Sequence, residues 1–167
     1  MAQIYYPKKT YVKYGEGALA GLLGGVVTAV VVTLGDVIIP DRSWWTSLSA
    51  TGGIFTGATN FNTGATDWGS WLLGLVLTLV AFAIFGMGLV GYLPLFRAFN
   101  LNPLLAGAAY GLFLWIVIDL LFLNGLTSGR LNLIVLLVAD VLAGAAMTWL
   151  LIQLSKNVKR EAQNVKQ

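Results

Sequence analysis

The sequence predicts an all-α polytopic membrane protein, a bundle of four transmembrane helices. Of its 167 residues, which fit one domain, 57% are hydrophobic and only 10% are charged, and the mean hydropathy is +0.80. Soluble domains have a lower apolar fraction, and about 25% of their residues are charged. The apolar residues form four runs, and about twenty residues per run are enough to span the hydrocarbon core of a bilayer. The Lys and Arg residues lie mainly near the chain ends.

Four spans and their connections follow from these runs and from local signals. The first run stops at Pro40, and the third begins after Asn102-Pro103, a helix-start signal. The transmembrane domain is predicted over residues 17–155, with helices at 17–39, 71–92, 104–123 and 131–155. An interfacial segment at 1–16 precedes it, an outer loop occupies 41–70, and a basic tail that continues as a helix follows at 156–167.

The distribution of Lys and Arg predicts the orientation. With four spans, one side of the membrane holds eight of them (Lys8, Lys9, Lys13, Arg97, Lys156, Lys159, Arg160 and Lys166) and the other holds two (Arg42 and Arg130). Basic loops stay in the cytoplasm, so both termini are expected there, in an inner or plasma membrane. The Lys and Tyr residues of 1–16 are interpreted as an interfacial anchor in contact with lipid, and no nucleic-acid partner is expected.

The outer loop 41–70 has no charge between Thr46 and Thr66 and is bracketed by four Trp residues. Long loops without secondary structure are uncommon unless they are functional or ordered by a neighbour. A short interfacial helix is predicted near Trp44. Two interpretations of the loop stay open: it lies inert on the lipid headgroups, or it binds a partner.

Small residues recur at spacings that favour close helix packing. In the first span they occupy every fourth position, at Gly17, Gly21 and Gly25. At ~100° per residue, Asp36 shares a face with Gly25 and should not point toward lipid. The further packing positions are Gly107, Gly111 and Gly144.

A weak internal repeat matches the first pair of spans to the second. Leu19-Ala20-Gly21 and Gly25 correspond to Leu105-Ala106-Gly107 and Gly111, and Val80-Ala81 with Gly86 corresponds to Val138-Ala139 with Gly144. Two hairpins in one orientation would form a parallel pseudo-repeat. On these motifs the chain resembles uncharacterised bacterial four-helix integral membrane proteins with duplicated Gly-rich hairpins, a resemblance that implies a fold and no activity.

Three acids lie inside the predicted spans: Asp36, Asp119 and Asp140. Such residues are costly in a bilayer and often mark ion or proton pathways. They form a candidate acid site near the outer surface, for a proton or a cation. The alternative is a structural role, in which Asp140 is protonated or hydrogen-bonded across helices and Arg130 pairs with Asp119.

Catalysis and bound cofactors are not expected. The chain has no His and no Cys, which excludes Ser–His and Cys–His nucleophiles and the common haem and zinc ligands. The preferred prediction is therefore a non-catalytic subunit or scaffold of a larger membrane complex, such as a respiratory or photosynthetic one. It would contact other membrane subunits through its helix faces and the 41–70 loop. The alternative is a small homo-oligomeric proton- or cation-linked transporter or channel that uses the acids.

Overall fold

A computed structural model describes residues 14–40, 42–57, 67–98, 101–123, 126 and 131–164. Their helices are α1 (Tyr14–Ile38), α2 (Thr46–Thr56), α3 (Trp68–Ala98), α4 (Pro103–Leu123) and α5 (Leu133–Asn164). Of these, α1, α3, α4 and α5 are long and apolar enough to cross a membrane. The predicted four-span helical membrane fold is thus confirmed. The N-in/C-in orientation stays a prediction, and most of the 1–16 segment lies outside the described residues.

Capping side chains set several helix starts. Asp67 accepts hydrogen bonds from the backbone N–H groups of Gly69 and Ser70, at 3.1 and 3.3 Å, so α3 begins three residues earlier than predicted. Asn102 caps α4 by accepting from the Leu104 N–H, and Asn132 caps α5 in the same way. At its other end α3 extends past residue 92, the predicted end of the second helix, and continues through Pro94 to Ala98.

The helices pack as two hairpins joined along their centre. One hairpin is α1 with α3 and the other is α4 with α5, and the extensive contact between α1 and α5 holds the two together. α3 and α4 contact each other much less. α2, which lies in the connection between α1 and α3, packs mainly against α3. Since the spans alternate in direction, α2 lies at the end of the bundle where α4 ends and α5 begins.

Each hairpin has a glycine crossing, in which two glycines of its first helix face one glycine of its second. The crossings are Gly17 and Gly21 with Gly86, and Gly107 and Gly111 with Gly144. A Cβ atom at Gly17 would lie 2.7 Å from the Gly86 carbonyl oxygen, and one at Gly144 would lie 2.8 Å from the Gly111 nitrogen. Real Cβ atoms do not approach backbone so closely, so glycine at these positions is what brings the helices together.

The two crossings show a pseudo-repeat whose register differs from the one read in the sequence. The sequence match paired Gly21 with Gly107. In space Gly17 corresponds to Gly107, and Gly21 to Gly111, because these pairs hold equivalent places against Gly86 and Gly144. The correspondence is thus shifted by one helical turn. Local composition identified the repeat, and only the positions of the facing glycines fix its register.

Candidate functional site

The three intramembrane acids separate into two sites, and Asp36 belongs to a structural one. Its side chain is 1% exposed and forms an ion pair of 3.0 Å with Arg42. It also accepts hydrogen bonds from the Ser47 backbone N–H at 2.7 Å and from the Ser47 hydroxyl at 2.8 Å. Asp36 therefore ties the end of α1 to the start of α2. It lies away from lipid, as its shared face with Gly25 predicted.

Helix α2 lies within the bundle, which neither interpretation of the 41–70 loop predicted. Its residues 46–50 are buried, and Gly52 faces Gly74 and Ser70 of α3 so closely that a side chain at either glycine would meet backbone. Beside it, the rings of Trp44, Trp45, Trp68 and Trp71 form an edge-to-face cluster with centroids 5.3–6.2 Å apart. The helix predicted near Trp44 exists and packs on α3.

Asp119 and Asp140 form the second site, a pair of facing carboxyl groups. Each residue is 4% exposed, and the two side chains lie close enough across α4 and α5 to interact electrostatically. Helical side chains lean toward the N-terminus of their own helix, and these helices are antiparallel. Asp119 therefore leans into the bundle and Asp140 leans toward the α2 end, which brings together two acids at different depths. A carboxylate has no donor, so two such groups can form a hydrogen bond with each other only when one of them is protonated.

Asp119 lies in a break of the α-helical pattern. From Trp115 to Leu123 the backbone of α4 is a π-helix, whereas the sequence predicted an uninterrupted span. Such segments are rare and frequently occur at functional sites. The run WIVIDLLFL contains neither Pro nor Gly, the residues that usually accompany a helix distortion, and we found no sequence signal for it. The Trp115 indole N–H donates to the Leu133 carbonyl at 2.8 Å, which joins this segment to α5.

The acid pair borders a cavity of ≈ 220 Å³ that all five helices line, together with Leu131. Its walls are mostly aliphatic and aromatic. Its polar lining residues are Thr28, Ser47, Thr51, Thr78, Asp119 and Asp140, and none of the described residues that line it is Lys or Arg. Because Ser47, Leu48 and Thr51 belong to α2, this helix forms the part of the cavity wall at the end of the bundle where α4 ends.

Two polar atoms at this cavity have no hydrogen-bond partner among the described residues. They are the Thr28 hydroxyl and the Oδ2 atom of Asp119. Thr28 is 5% exposed. The other two threonines that line the cavity do have partners, since the Thr51 hydroxyl donates to the Ser47 carbonyl and the Thr78 hydroxyl donates to the Gly74 carbonyl. Buried polar groups are nearly always satisfied, so the unpaired atoms indicate a cavity suited to a polar guest.

The acid pair does not resemble a metal centre. No group of three or more His, Cys, Asp or Glu side chains that could hold a metal ion occurs in the described part of the chain. Arg130, the expected partner of Asp119, lies outside the described residues. The expected packing glycines (Gly17, Gly21, Gly25, Gly107, Gly111 and Gly144) all lie against neighbouring helices.

Comparison of the chain with protein-family models, with curated proteins and with solved structures found no match. Its function is therefore argued from its own residues. The four long apolar helices indicate a multi-pass membrane protein, and the Asp119–Asp140 pair beside its cavity is the candidate site.

Proposed function

We propose that this chain is a non-enzymatic membrane transport protein that moves protons, alone or together with a solute, through the Asp119–Asp140 pair. One observation carries the proposal: two buried carboxyl groups face each other at the wall of a cavity inside the transmembrane bundle. Acids in such positions mark proton relays and ion pathways.

A comparison within the chain favours this role over a structural one. Asp36 has what a structural acid needs, namely a cation at 3.0 Å and two hydrogen bonds from Ser47. Asp119 and Asp140 face a second acid instead, and no basic side chain is among the described residues of their cavity. Insertion of Asp at mid-membrane costs about 2.5–3.5 kcal/mol. Asn or Thr would link α4 to α5 at a lower cost, so a pair of acids is better explained by a proton that binds and leaves.

The surroundings of the pair support movement of that proton. Ionisation of both acids would place two negative charges close together, and like charges in close proximity repel strongly. The Asp119 side chain is carried by the π-helical segment, whose backbone pattern differs from that of the rest of α4. A change in the protonation of the acid pair would therefore act on the π-helical segment of α4.

The subunit or scaffold role predicted from the sequence is the competing proposal. It relied in part on small-residue faces of three helices that would be available to partners. Gly21, Gly111 and Gly144 are instead used within the chain, against α3, α5 and α4. The argument for external partners loses that support, and the transport proposal does not depend on it.

Reconstitution into liposomes separates the two roles. Full-length protein is placed in vesicles that contain a pH-sensitive dye, and a potassium gradient with valinomycin drives proton entry. Wild-type vesicles should acidify faster than empty ones, and Asp119→Asn or Asp140→Asn should lower that rate at least tenfold. Asp67→Asn is the matched control, because Asp67 lies outside the cavity and Asn also caps helices.

Each variant is checked for a normal elution volume and melting temperature, so that loss of flux is not loss of fold. A wild-type rate equal to that of empty vesicles, with normal assembly, would exclude proton transport that needs no coupled solute and would favour the subunit role.

A further inference from the structure

We infer that the cavity beside Asp119 and Asp140 binds a small, largely apolar organic monocation, such as a primary ammonium compound. This inference rests on the proposed function and specifies the solute that accompanies the proton. It is supported by the charge of the cavity, by its unpaired polar atoms, by its aromatic walls and by its size.

The charge of the cavity selects a cation. Asp119 and Asp140 are the only residues with ionisable side chains among the described residues that line it. Loss of a proton from either acid gives the pair a negative charge. A monocation would neutralise that charge beside two buried side chains, where an unpaired charge is costly. An anion would meet no Lys or Arg among these lining residues.

The unpaired polar atoms match the hydrogen-bonding capacity of an ammonium group. The Oδ2 atom of Asp119 and the hydroxyl of Thr28 both lack partners among the described residues and are buried. Both can accept hydrogen bonds, and an ammonium group has donors but no acceptor. These atoms come from α4 and α1, so a bound ammonium group would link the two hairpins.

The walls favour an organic cation over an inorganic one. Phe55, Phe82 and Phe85 line the cavity, and the rings of Phe82 and Phe85 lie edge-to-face at 5.9 Å. Aromatic faces attract organic ammonium groups. An ion such as Mg²⁺ or Ca²⁺ prefers six or more oxygen ligands, which walls rich in Leu, Ile and Phe do not supply.

The volume limits the ligand to a small one. Pockets for drug-sized molecules measure about 300–1,000 Å³, whereas this cavity measures ≈ 220 Å³. One aromatic ring with a short cationic arm is a suitable probe. Benzylammonium meets this description, and benzyl alcohol is its neutral counterpart with the same number of non-hydrogen atoms.

Calorimetric titration of full-length protein in lipid nanodiscs tests the inference, with empty nanodiscs as the blank. Benzylammonium should bind at least tenfold more tightly than benzyl alcohol. Asp140→Asn should weaken benzylammonium binding at least tenfold and leave benzyl alcohol binding unchanged, which also shows that the cavity is intact. Thr28→Val should weaken benzylammonium binding several-fold, and Asp67→Asn should change neither affinity.

Equal affinity for the two probes, or an unchanged benzylammonium affinity in Asp140→Asn, would overturn the inference. Displacement of benzylammonium by an equal concentration of sodium chloride would also overturn it, because the site would then bind inorganic cations. The liposome assay separates this inference from the proposed function. Proton flux without benzylammonium binding overturns the inference alone. Benzylammonium binding without proton flux, measured both with and without benzylammonium in the vesicle assay, overturns transport and leaves a binding protein.

Discussion

Breaking the Asp36–Arg42 ion pair should detach the start of α2 from the bundle. In Arg42→Gln the Asp36 carboxylate, which is 1% exposed, stays buried and keeps its two hydrogen bonds from Ser47. Removal of one partner from a buried ion pair costs about 3–5 kcal/mol. Arg42 is 18% exposed, and the Ser47 hydrogen bonds remain, so a cost of about 2–3 kcal/mol is expected.

The double variant Asp36→Asn with Arg42→Gln provides the matched control. The side-chain carbonyl that Asp36→Asn introduces would still accept from Ser47, and no charge would remain buried at this position. In a chain of this length 1 kcal/mol corresponds to about 2–4 °C, so Arg42→Gln should lower the melting temperature by roughly 5–10 °C. The double variant should regain more than half of that loss, which a double-mutant cycle measures as a coupling energy.

Two measurements check this reasoning. The first is thermal unfolding in mild detergent, followed by Trp fluorescence. The second is the reaction rate of a cysteine introduced at Ser49, which is 1% exposed in α2, in a chain with no natural Cys. Arg42→Gln should increase that rate, whereas a cysteine at the exposed Thr56 should react equally fast in both backgrounds. The reasoning would be refuted if the decreases in melting temperature of the two single variants simply added in the double variant and the cysteine of Ser49→Cys stayed protected. The ion pair would then not hold α2 against the bundle.

Three further predictions concern packing, orientation and helix capping. Gly21→Ala places a Cβ against the Phe82 backbone and should lower the stability by about 1–3 kcal/mol. Gly91→Ala, where the space is open, should be neutral or slightly stabilising. Equal melting temperatures of the two variants would contradict the close packing of α1 on α3 at Gly21. Single cysteines should react with an impermeant reagent only from the cytoplasmic side at Lys9, Arg97 and Lys166, and outside labelling at any of these would exclude the N-in/C-in orientation. Hydrogen bonds from the Ser70 hydroxyl and N–H hold the pKa of Asp67 below its ordinary value, against a small opposing effect of burial. The Asp67 carboxylate therefore stabilises α3 at pH values above its ordinary pKa. The difference in melting temperature between wild type and Asp67→Ala should vanish as the pH falls through the lowered pKa. A difference that grows in acid would contradict this prediction.

The four spans could be predicted from the sequence because the requirement for crossing a bilayer is local. Each run must be apolar and about twenty residues long, and helical periodicity alone was enough to place Asp36 on the same face as Gly25 and away from lipid. The N-terminal caps at Asn102 and Asp67 also act over only two or three residues. The Asn102-Pro103 pair predicts the first cap, whereas the second falls inside the predicted outer loop 41–70 and is not predicted.

The partners of the acids were decided only by the tertiary structure. Asp36 and Asp119 lie at similar distances from the ends of their helices, which suggested one group that also included Asp140. Asp36 instead meets Arg42, since the chain turns back immediately after α1, whereas Asp119 meets Asp140 because α4 and α5 cross at Gly107, Gly111 and Gly144. The rotation and register of two helices depend on such crossings, and a one-dimensional pattern does not contain them. The burial of α2 and the cavity beneath it follow from the same cause: they exist only once α3 presents Gly74 to Gly52 and all five helices surround one space.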